Sequence, residues 1–396
     1  MDEPENDLKI LLVSPFLPFP GVPHAGGKLL HYLLSILTKR HSVHMVTRYY
    51  PGEERHFPVL RRMLSGLDVV PADGPVESSS LWSILRTVRS YIRLARQADI
   101  AARRERFDLC QVENTETGFF WEPPPDLPGV LTCTDIIAKP AFRRYEGSNG
   151  LNRVAAFVAW KGKHAVERRA VSRYRTVFTL SEEDREWANR LYPEARVQVL
   201  HYPGGIDHVG LPRQEVSGRV LFVGALQRPL NIQYLRYLAE KVWPFVRREI
   251  PDAELLVVGG GLPAKVQEAL SGILGVRLTG FVENLELAYK NASVFAAPIL
   301  SGGGIIVKIL DAMAAGVPVV TTSYGNEGIR AEAGKEILVA DSPGDFARAL
   351  ILLLKDPEMR NVLAERGHRH LAVNFSEESL IRKLEAAYQE LIRTPG

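Results

Sequence analysis

The stretch SGGGIIVKILDAMAAGVPVV, residues 301–320, decides the fold of the second half of the chain. Three glycines stand directly before an apolar segment with helical spacing, and a Val/Pro run typical of a buried strand follows. Glycines before a helix let a ligand approach the backbone, and the helix N-terminus favours negative charge. Gly302, Gly303 and Gly304 are therefore predicted to hold a phosphate or a sugar hydroxyl, with a plain turn as the alternative.

Two charged residues follow on the same predicted helix. Lys308 and Asp311 are three residues apart, so both side chains can point toward one ligand. An ammonium group suits a phosphate, and a carboxylate suits paired hydroxyls. A surface ion pair is the alternative interpretation.

Length and composition predict a two-domain globular protein. The chain has 396 residues, of which 46% are hydrophobic and 24% are charged. Its two cysteines, Cys110 and Cys133, lack metal-site spacing and are expected to be buried thiols in a reducing compartment. A net charge of +3 is too weak to indicate nucleic acid as a partner. No apolar run is long enough to cross a bilayer, so we expect a soluble or peripheral protein.

Short apolar runs alternate with longer helical patterns along both halves of the chain. This alternation predicts an α/β protein with two doubly wound parallel sheets. The predicted boundaries are 1–207 for the first domain, 208–217 for a linker, 218–375 for the second domain and 376–396 for a terminal helix. That helix has Ser376 as its predicted N-cap and one apolar face, formed by Leu380, Leu384, Ala387, Tyr388 and Leu391.

The first domain repeats the arrangement of glycines before a helix. Gly26 and Gly27 follow the first predicted strand and precede the first helix, where backbone amides could meet a diphosphate. Two such helix starts, one from each domain, would face each other across a cleft.

A basic stripe marks the segment 83–106. Arg86, Arg89, Arg93 and Arg96 recur at steps of three and four residues on a helix that is also apolar. Anionic membrane surfaces attract such helices, and a solvated face of an ordinary packed helix is the alternative.

The second half resembles the nucleotide-sugar-binding domain of glycosyltransferase family 4, in its triple-glycine subtype. The resemblance rests on LFVGALQRPLNIQYL, REIPDAELLVVGGG, GFVENL, the stretch from Phe295 to Ile329 and ILVADSPGDFARALILLL. TLSEEDREW and HYPGGID extend it more loosely into the first half. The family has the GT-B fold, in which two Rossmann-like domains face each other across a cleft. The terminal helix is then expected to cross back to the N-terminal domain.

The resemblance implies a retaining sugar transfer from a nucleoside-diphosphate sugar, without a bound metal or other cofactor. Asp311 stands where the family places a carboxylate for the ribose, and Gly303 stands where it places a sugar-binding glutamate. Only backbone amides of Gly303, Gly304 and Ile305 remain for that sugar contact. The other implied donor-binding residues are Gly26, Gly27, Gly224, Arg228, Gly260, Phe281, Val282, Gly302 and Glu327.

The departures from the family concern the catalytic residues. Ala225 replaces an arginine that binds the diphosphate in the family, so Arg228 or Lys308 would have to substitute for it. Thr134 and Asp135 occupy the region where the family often has a histidine near the reacting sugar. Thr134, Asp135 and Lys308 are therefore the candidate catalytic residues.

The function expected from these observations is sugar transfer to a glycan or lipid-linked acceptor in polysaccharide or envelope synthesis. The protein would work in the cytoplasm, as a peripheral protein at the inner face of the membrane. Two alternatives stay open. One is a degenerate relative that binds a partner or a sugar nucleotide without transfer, and the other is a sugar-nucleotide epimerase of the same fold.

Overall fold

The computed structural model describes residues 7–22, 24–72, 81–203, 213–301 and 304–393. The chain forms two compact units. The first contains Met1–Leu200 together with Leu380–Gly396, and the second contains His201–Ser379.

The first unit is built on a parallel sheet with the strand order β3-β2-β1-β4-β5-β6-β7. Its strands are β1 Lys9–Ser14, β2 Ser42–Tyr49, β3 Gly66–Pro71, β4 Leu109–Glu113, β5 Gly129–Cys133, β6 Thr176–Thr179 and β7 Val197–Val199. Its helices are α1 Ala25–Leu37, α2 Phe57–Met63, α3 Leu81–Arg104, α4 Thr115–Phe120, α5 Ala138–Glu146, α6 Gly150–Val171 and α7 Glu182–Leu191, with a 3-10 turn at Glu53–His56.

Strand β1 shows why this sheet forms. Helices cover both faces of such a parallel sheet, so its central strands read as continuous apolar runs. Ile10, Leu11, Leu12 and Val13 are fully buried. Ile10 lies opposite Val43 of β2 and Leu109 of β4 in the parallel register.

The second unit has a parallel sheet with the order β10-β9-β8-β11-β12-β13. Its strands are β8 Arg219–Val223, β9 Glu254–Val258, β10 Val276–Leu278, β11 Val294–Ala297, β12 Val319–Thr321 and β13 Leu338–Val339. Its helices are α8 Pro229–Arg236, α9 Trp243–Glu249, α10 Ala264–Ser271, α11 Glu286–Lys290, α12 Val307–Ala314, α13 Ser323–Asn326, α14 Pro343–Lys355 and α15 Pro357–Asn374, with a π-helical segment at Tyr237–Val242. Its core includes the buried rings of Trp243, Phe295 and Phe346.

The last helix, α16 Glu377–Arg393, packs on the first unit from Leu380 onward. The Tyr388 hydroxyl donates to the Gln111 side-chain oxygen on β4, and Arg40 forms an ion pair of 2.8 Å with Glu385. The predicted apolar face is buried at all five positions, and the Ser376 hydroxyl accepts from the Ser379 amide at 3.2 Å. Both predictions for this helix are confirmed.

The two-sheet α/β organisation predicted from the sequence is confirmed. Cys110 and Cys133 are buried free thiols, also as predicted. The structure divides the chain after Leu200, whereas the sequence placed the boundary after residue 207. Half of the predicted linker, residues 208–212, lies outside the described residues. Within the described part of the chain, none of the helices has the length and apolar character needed to span a bilayer.

Candidate functional site

The carboxyl edge of the second sheet holds most of the predicted binding residues. Strand order reverses between the neighbouring strands β8 and β11, because the chain runs from β8 outward to β10 and then returns to β11. In open α/β sheets, ligands bind at such a switch point, beyond the carboxyl ends of the strands. The loops after β8 and β11 therefore define the candidate site.

The loops after β8 and β9 are held together by backbone contacts. The Gly224 amide donates to Val258 O at 3.0 Å, and the Leu226 amide donates to Gly260 O at 2.9 Å. A Cβ at Gly259 would overlap the Gly224 carbonyl oxygen, so only glycine permits this approach. Gly224 and Gly260 thus build the floor of the site.

The turn before α12 packs against the loop after β12. Gly302 and Gly303 lie outside the described residues. The contacts of this turn are therefore given for Gly304 and the residues that follow it. A Cβ at Gly328 would lie 2.5 Å from Gly304 O and 3.1 Å from the Ile305 amide nitrogen. The Glu327–Gly328 segment is therefore seated directly on the Gly304–Ile305 peptide.

Lys308 places its ammonium group at the end of β8. Its Nζ donates to Val223 O at 3.1 Å, lies 3.4 Å from Asn231 Oδ1, and sits 5.3 Å from the centre of the Phe222 ring. Burial, and then the nearby Arg228 guanidinium, lower the pKa of Lys308 to about 8. Arg228 itself is exposed at the start of α8. The two cations predicted to replace the missing arginine thus lie at one strand end.

Asp311 lies deeper than its predicted role suggests. It is only 8% exposed, between the buried residues Leu310 and Ala312 of α12. Tyr289 of α11 is buried, and burial, together with the nearby Asp311 carboxylate, raises the pKa of its hydroxyl. The Asp311 carboxylate therefore lies near α11. Lys308 and Asp311 share a helix, but their described surroundings differ. The prediction that both address one ligand stays a prediction.

Phe281 offers an apolar surface at the same edge. Its side chain is 75% exposed, while Val282 packs partly into the core. A Cβ at Gly260 would lie 3.0 Å from the Phe281 Cβ, which places this phenylalanine next to the glycine loop after β9. An exposed ring at this position can stack on a flat aromatic group such as a nucleobase.

Gly26 and Gly27 of the first unit make contacts within the protein itself. The Gly27 amide donates to the His24 Nδ1 at 3.0 Å, which caps α1. A Cβ at Gly26 would lie 3.1 Å from the Phe16 ring. A diphosphate bound at the Gly27 amide would have to displace the His24 cap, and no feature of the sequence predicted that cap.

Thr134 and Asp135 lie at the carboxyl end of β5. The Thr134 hydroxyl accepts from Asn114 Nδ2 at 3.3 Å, and Asn114 has a positive φ of 72°. Asp135 is exposed at this strand end, although neighbouring protein removes part of the water around its carboxyl group. The surrounding protein, and then the Asp184 carboxylate, raise the pKa of Asp135 to about 7 against the opposing effect of Lys139.

Sequence reasoning missed the buried charges behind Asp135. Lys139 and Asp184 are both buried and form an ion pair of 3.1 Å. Glu167 accepts from the Ile137 and Ala138 amides at 2.8 and 3.1 Å, and burial raises its pKa to about 7. The residues come from α5, α6 and α7, so their spacing in the chain carried little sign of this cluster. Ser181, which caps α7 through the Asp184 amide, was the one available local signal.

Residues 217–356 match the family model described as glycosyl transferases group 1. Among curated proteins, the chain is 29% identical over 172 residues to an uncharacterized 44.6 kDa protein in the cps region of Klebsiella pneumoniae, covering 42% of this chain and 44% of that protein. It is 29% identical over 211 residues to a phosphatidyl-myo-inositol mannosyltransferase of Mycolicibacterium smegmatis, covering 48% and 52%. The chain thus spans about half the length of the curated relatives it matches.

Solved structures resemble nearly the whole chain. A sucrose-phosphate synthase from Thermosynechococcus elongatus superimposes with a TM-score of 0.71 at 16% identity, covering 97% of this chain and 99% of that one. The Anabaena protein Alr3699/HepE in complex with UDP-glucose gives a TM-score of 0.63 at 14% identity, covering 97% and 100%. At these identities the likeness concerns the fold, and the predicted GT-B fold is confirmed.

Proposed function

We propose that this chain, whose residues 217–356 belong to the glycosyl transferases group 1 family, transfers a sugar from a nucleoside-diphosphate sugar. The acceptor is a glycan or a lipid-linked glycan in polysaccharide or envelope synthesis, and the configuration of the sugar is retained. The observation that carries the proposal is the switch-point edge of the second sheet, where a glycine-built floor meets the cations Lys308 and Arg228.

The chemistry required of this edge is mainly electrostatic. Transfer breaks the bond between the sugar C1 and the diphosphate oxygen and forms a bond to an acceptor hydroxyl, so negative charge grows on the leaving diphosphate. Fixed cations and backbone amides stabilise such charge. We propose that Lys308 and Arg228 serve this role, without a metal or other cofactor.

We further propose that Glu327 supplies the carboxylate that Gly303 lacks. In the family, a glutamate at the position of Gly303 contacts the donor sugar. The packing of Gly328 on the Gly304–Ile305 peptide brings the neighbouring, half-buried Glu327 to the same turn. Phe281 would stack on the base, and Asp311 would accept from the ribose hydroxyls.

Asp135 is the proposed proton acceptor for the acceptor hydroxyl. A carboxyl group with a pKa of about 7 is half ionised near neutral pH, where a general base works best. Thr134 would hold the adjacent backbone through its bond to Asn114.

The relatives support the choice of acceptor and location. One relative is encoded in a cps region, and another is named for mannosyl transfer to phosphatidyl-myo-inositol. We propose a cytoplasmic protein that works at the inner face of a membrane. No nucleic acid partner is proposed, since the net charge is only +3.

Calorimetric titration with UDP, GDP and ADP and with several of their sugars tests donor binding. Binding of at least one nucleotide, followed by release of that nucleotide when an acceptor extract is added, would support the proposal. Failure of every nucleotide to bind would contradict it.

A second candidate function is donor binding without transfer, because Asp311 is buried and Gly303 replaces an acid. Donor binding combined with the absence of transfer and of donor hydrolysis would favour this second function.

A further inference from the structure

The N-terminal halves of α3 and α6 extend past the sheet of the first unit. α3 has 24 residues and α6 has 22, so at 1.5 Å per residue they are roughly 36 and 33 Å long. The five residues of β4 or β5 span only about 17 Å. Each helix ends a few residues before the next strand begins, at the amino edge. About the first ten residues of each helix therefore project beyond the carboxyl edge.

The two projecting segments lie on the same side of the sheet. α3, α4 and α6 connect successive strands in one direction across the sheet, and α4 packs against both α3 and α6. Right-handed crossovers in one direction place their helices on one face. Since α4 has only six residues, it does not extend as far as its two neighbours.

Both segments expose large apolar side chains. Trp82 is 75% exposed and Leu151 is 89% exposed, values far above those of a packed helix. We call six of the exposed apolar residues of these two helix starts the docking face. They are Trp82, Ile84 and Leu85 on α3, and Leu151, Val154 and Val158 on α6.

The charged residues on the two helix starts themselves have one sign, while exposed Glu146 lies on the neighbouring helix α5. From Leu81 to Ala98 and from Gly150 to Val166 the sequence contains no aspartate or glutamate, while it contains seven lysines and arginines. Arg86, Arg89 and Arg153 are exposed beside the apolar residues. Lys161 sits 4.4 Å from the centre of the Trp160 ring, which holds its ammonium group near an aromatic surface.

We propose that the docking face binds an anionic lipid bilayer, with the apolar residues of both helices inserted at the headgroup level. Apolar side chains flanked by Lys and Arg, with a tryptophan at the boundary, match the interface of such a membrane. Arg86 and Arg89 of the predicted stripe thus flank one half of the surface, and α6 supplies the other half. Arg93 of the stripe is only partly available, because it donates to Pro71 O at 3.0 Å.

The inference rests on the membrane location given in the proposed function and names the surface that would bind the membrane. It does not depend on which sugar is transferred. A lipid-linked acceptor would be delivered at the carboxyl edge of the first sheet, where Asp135 lies. Vesicle binding and donor binding are separate measurements, so failure of one can be told from failure of the other.

The test is co-sedimentation of the full chain with phosphatidylcholine vesicles that contain either no anionic lipid or about 30% phosphatidylglycerol. Three variants carry Leu151→Ser, Val154→Ser and Val158→Ser together, Trp82→Ser with Leu85→Ser, or Arg153→Gln with Lys161→Gln. The matched control carries Leu274→Ser and Val373→Ser, two residues of the second unit that are 75% and 68% exposed. All proteins are first compared by thermal unfolding.

We expect wild type and control to bind anionic vesicles, and each of the three variants to lose about tenfold or more in the partition coefficient. The proposal is overturned if wild type binds neutral vesicles equally well or binds none. It is also overturned if the control loses as much as the variants, or if only the α3 variant loses binding. Loss of a dimer in the apolar variants, seen by sedimentation velocity without lipid, would make the face a self-association surface instead.

Discussion

The carboxyl edges of the two sheets have the same architecture and opposite chemistry. In the second unit, the notable group is the Lys308 ammonium beside Arg228, with a pKa lowered to about 8. In the first unit, it is the Asp135 carboxyl, with a pKa raised to about 7 in front of the buried Glu167 and Asp184. Loss of water disfavours the charged form in both cases, so it moves the two pKa values toward neutrality from opposite sides. Parallel sheets determine where a site forms, and the side chains at the edge determine whether it attracts anions or exchanges protons.

Asp135→Asn tests the acidic edge and should have the largest effect. Loss of a general base is expected to lower kcat by about a hundredfold or more, while donor affinity stays within about twofold. Steady-state kinetics and calorimetry measure the two quantities. Asp126→Asn, which removes an exposed loop acid, is the control. An unchanged kcat would remove Asp135 from the mechanism.

Gly259→Ala tests the glycine floor of the second edge. The added methyl would overlap the Gly224 carbonyl oxygen, so we expect a loss of about 3 kcal/mol in the stability of the second unit. Hydrogen exchange of the β8 and β9 amides measures it. Gly280→Ala is the control, since Gly280 has a φ of 74° but open space around it, and should cost only about 1 kcal/mol. Equal losses would show that close approach is not the cause.

Lys308→Met tests the basic character of that edge. A charge-assisted contact with the diphosphate would be lost, and nucleoside-diphosphate affinity should fall by about 2 kcal/mol, or roughly thirtyfold. Calorimetry at low and high salt measures the change and its electrostatic origin. Lys335→Met, at an exposed residue paired with Glu332, should bind as the wild type does. If both variants bind equally well, the anion lies elsewhere.

The pH profile of kcat/KM compares the two edges in one experiment. Asp135 must be ionised, which requires a pH above about 7, and Lys308 must be protonated, which requires a pH below about 8. The profile should be bell-shaped, with its maximum between these values. Asp135→Asn should abolish the acid limb of the profile, and Lys308→Arg should move its alkaline limb to higher pH. A profile unaffected by either variant would separate both groups from turnover.

Asp311→Asn should have the smallest effect. Since Asp311 is 8% exposed, we expect about 1 kcal/mol of lost nucleotide affinity, from one weakened hydrogen bond to the ribose. The same assay with Asp252→Asn, at an exposed turn residue, provides the control. Unchanged affinity combined with lower thermal stability would assign Asp311 to the core instead.

The sequence predicted the sheets well because buried parallel strands leave continuous apolar runs, as in Ile10–Val13. It also placed Gly224, Gly260 and Lys308 near strand ends, since a strand end followed by a helix start is a local pattern. It did not reveal that His24 occupies the Gly27 amide, because a histidine is an uncommon helix cap.

Local sequence patterns were enough to determine the α/β class, the glycine-lined strand ends and the basic stripe of this protein. Each of these features depends on residues that are only a few positions apart in the chain. Tertiary structure alone decided the depth of Asp311, the ion pair of Lys139 with Asp184, and the joint exposure of α3 and α6. Burial and charge pairing arise between segments that are far apart in the chain, and no local pattern encodes the distance between them.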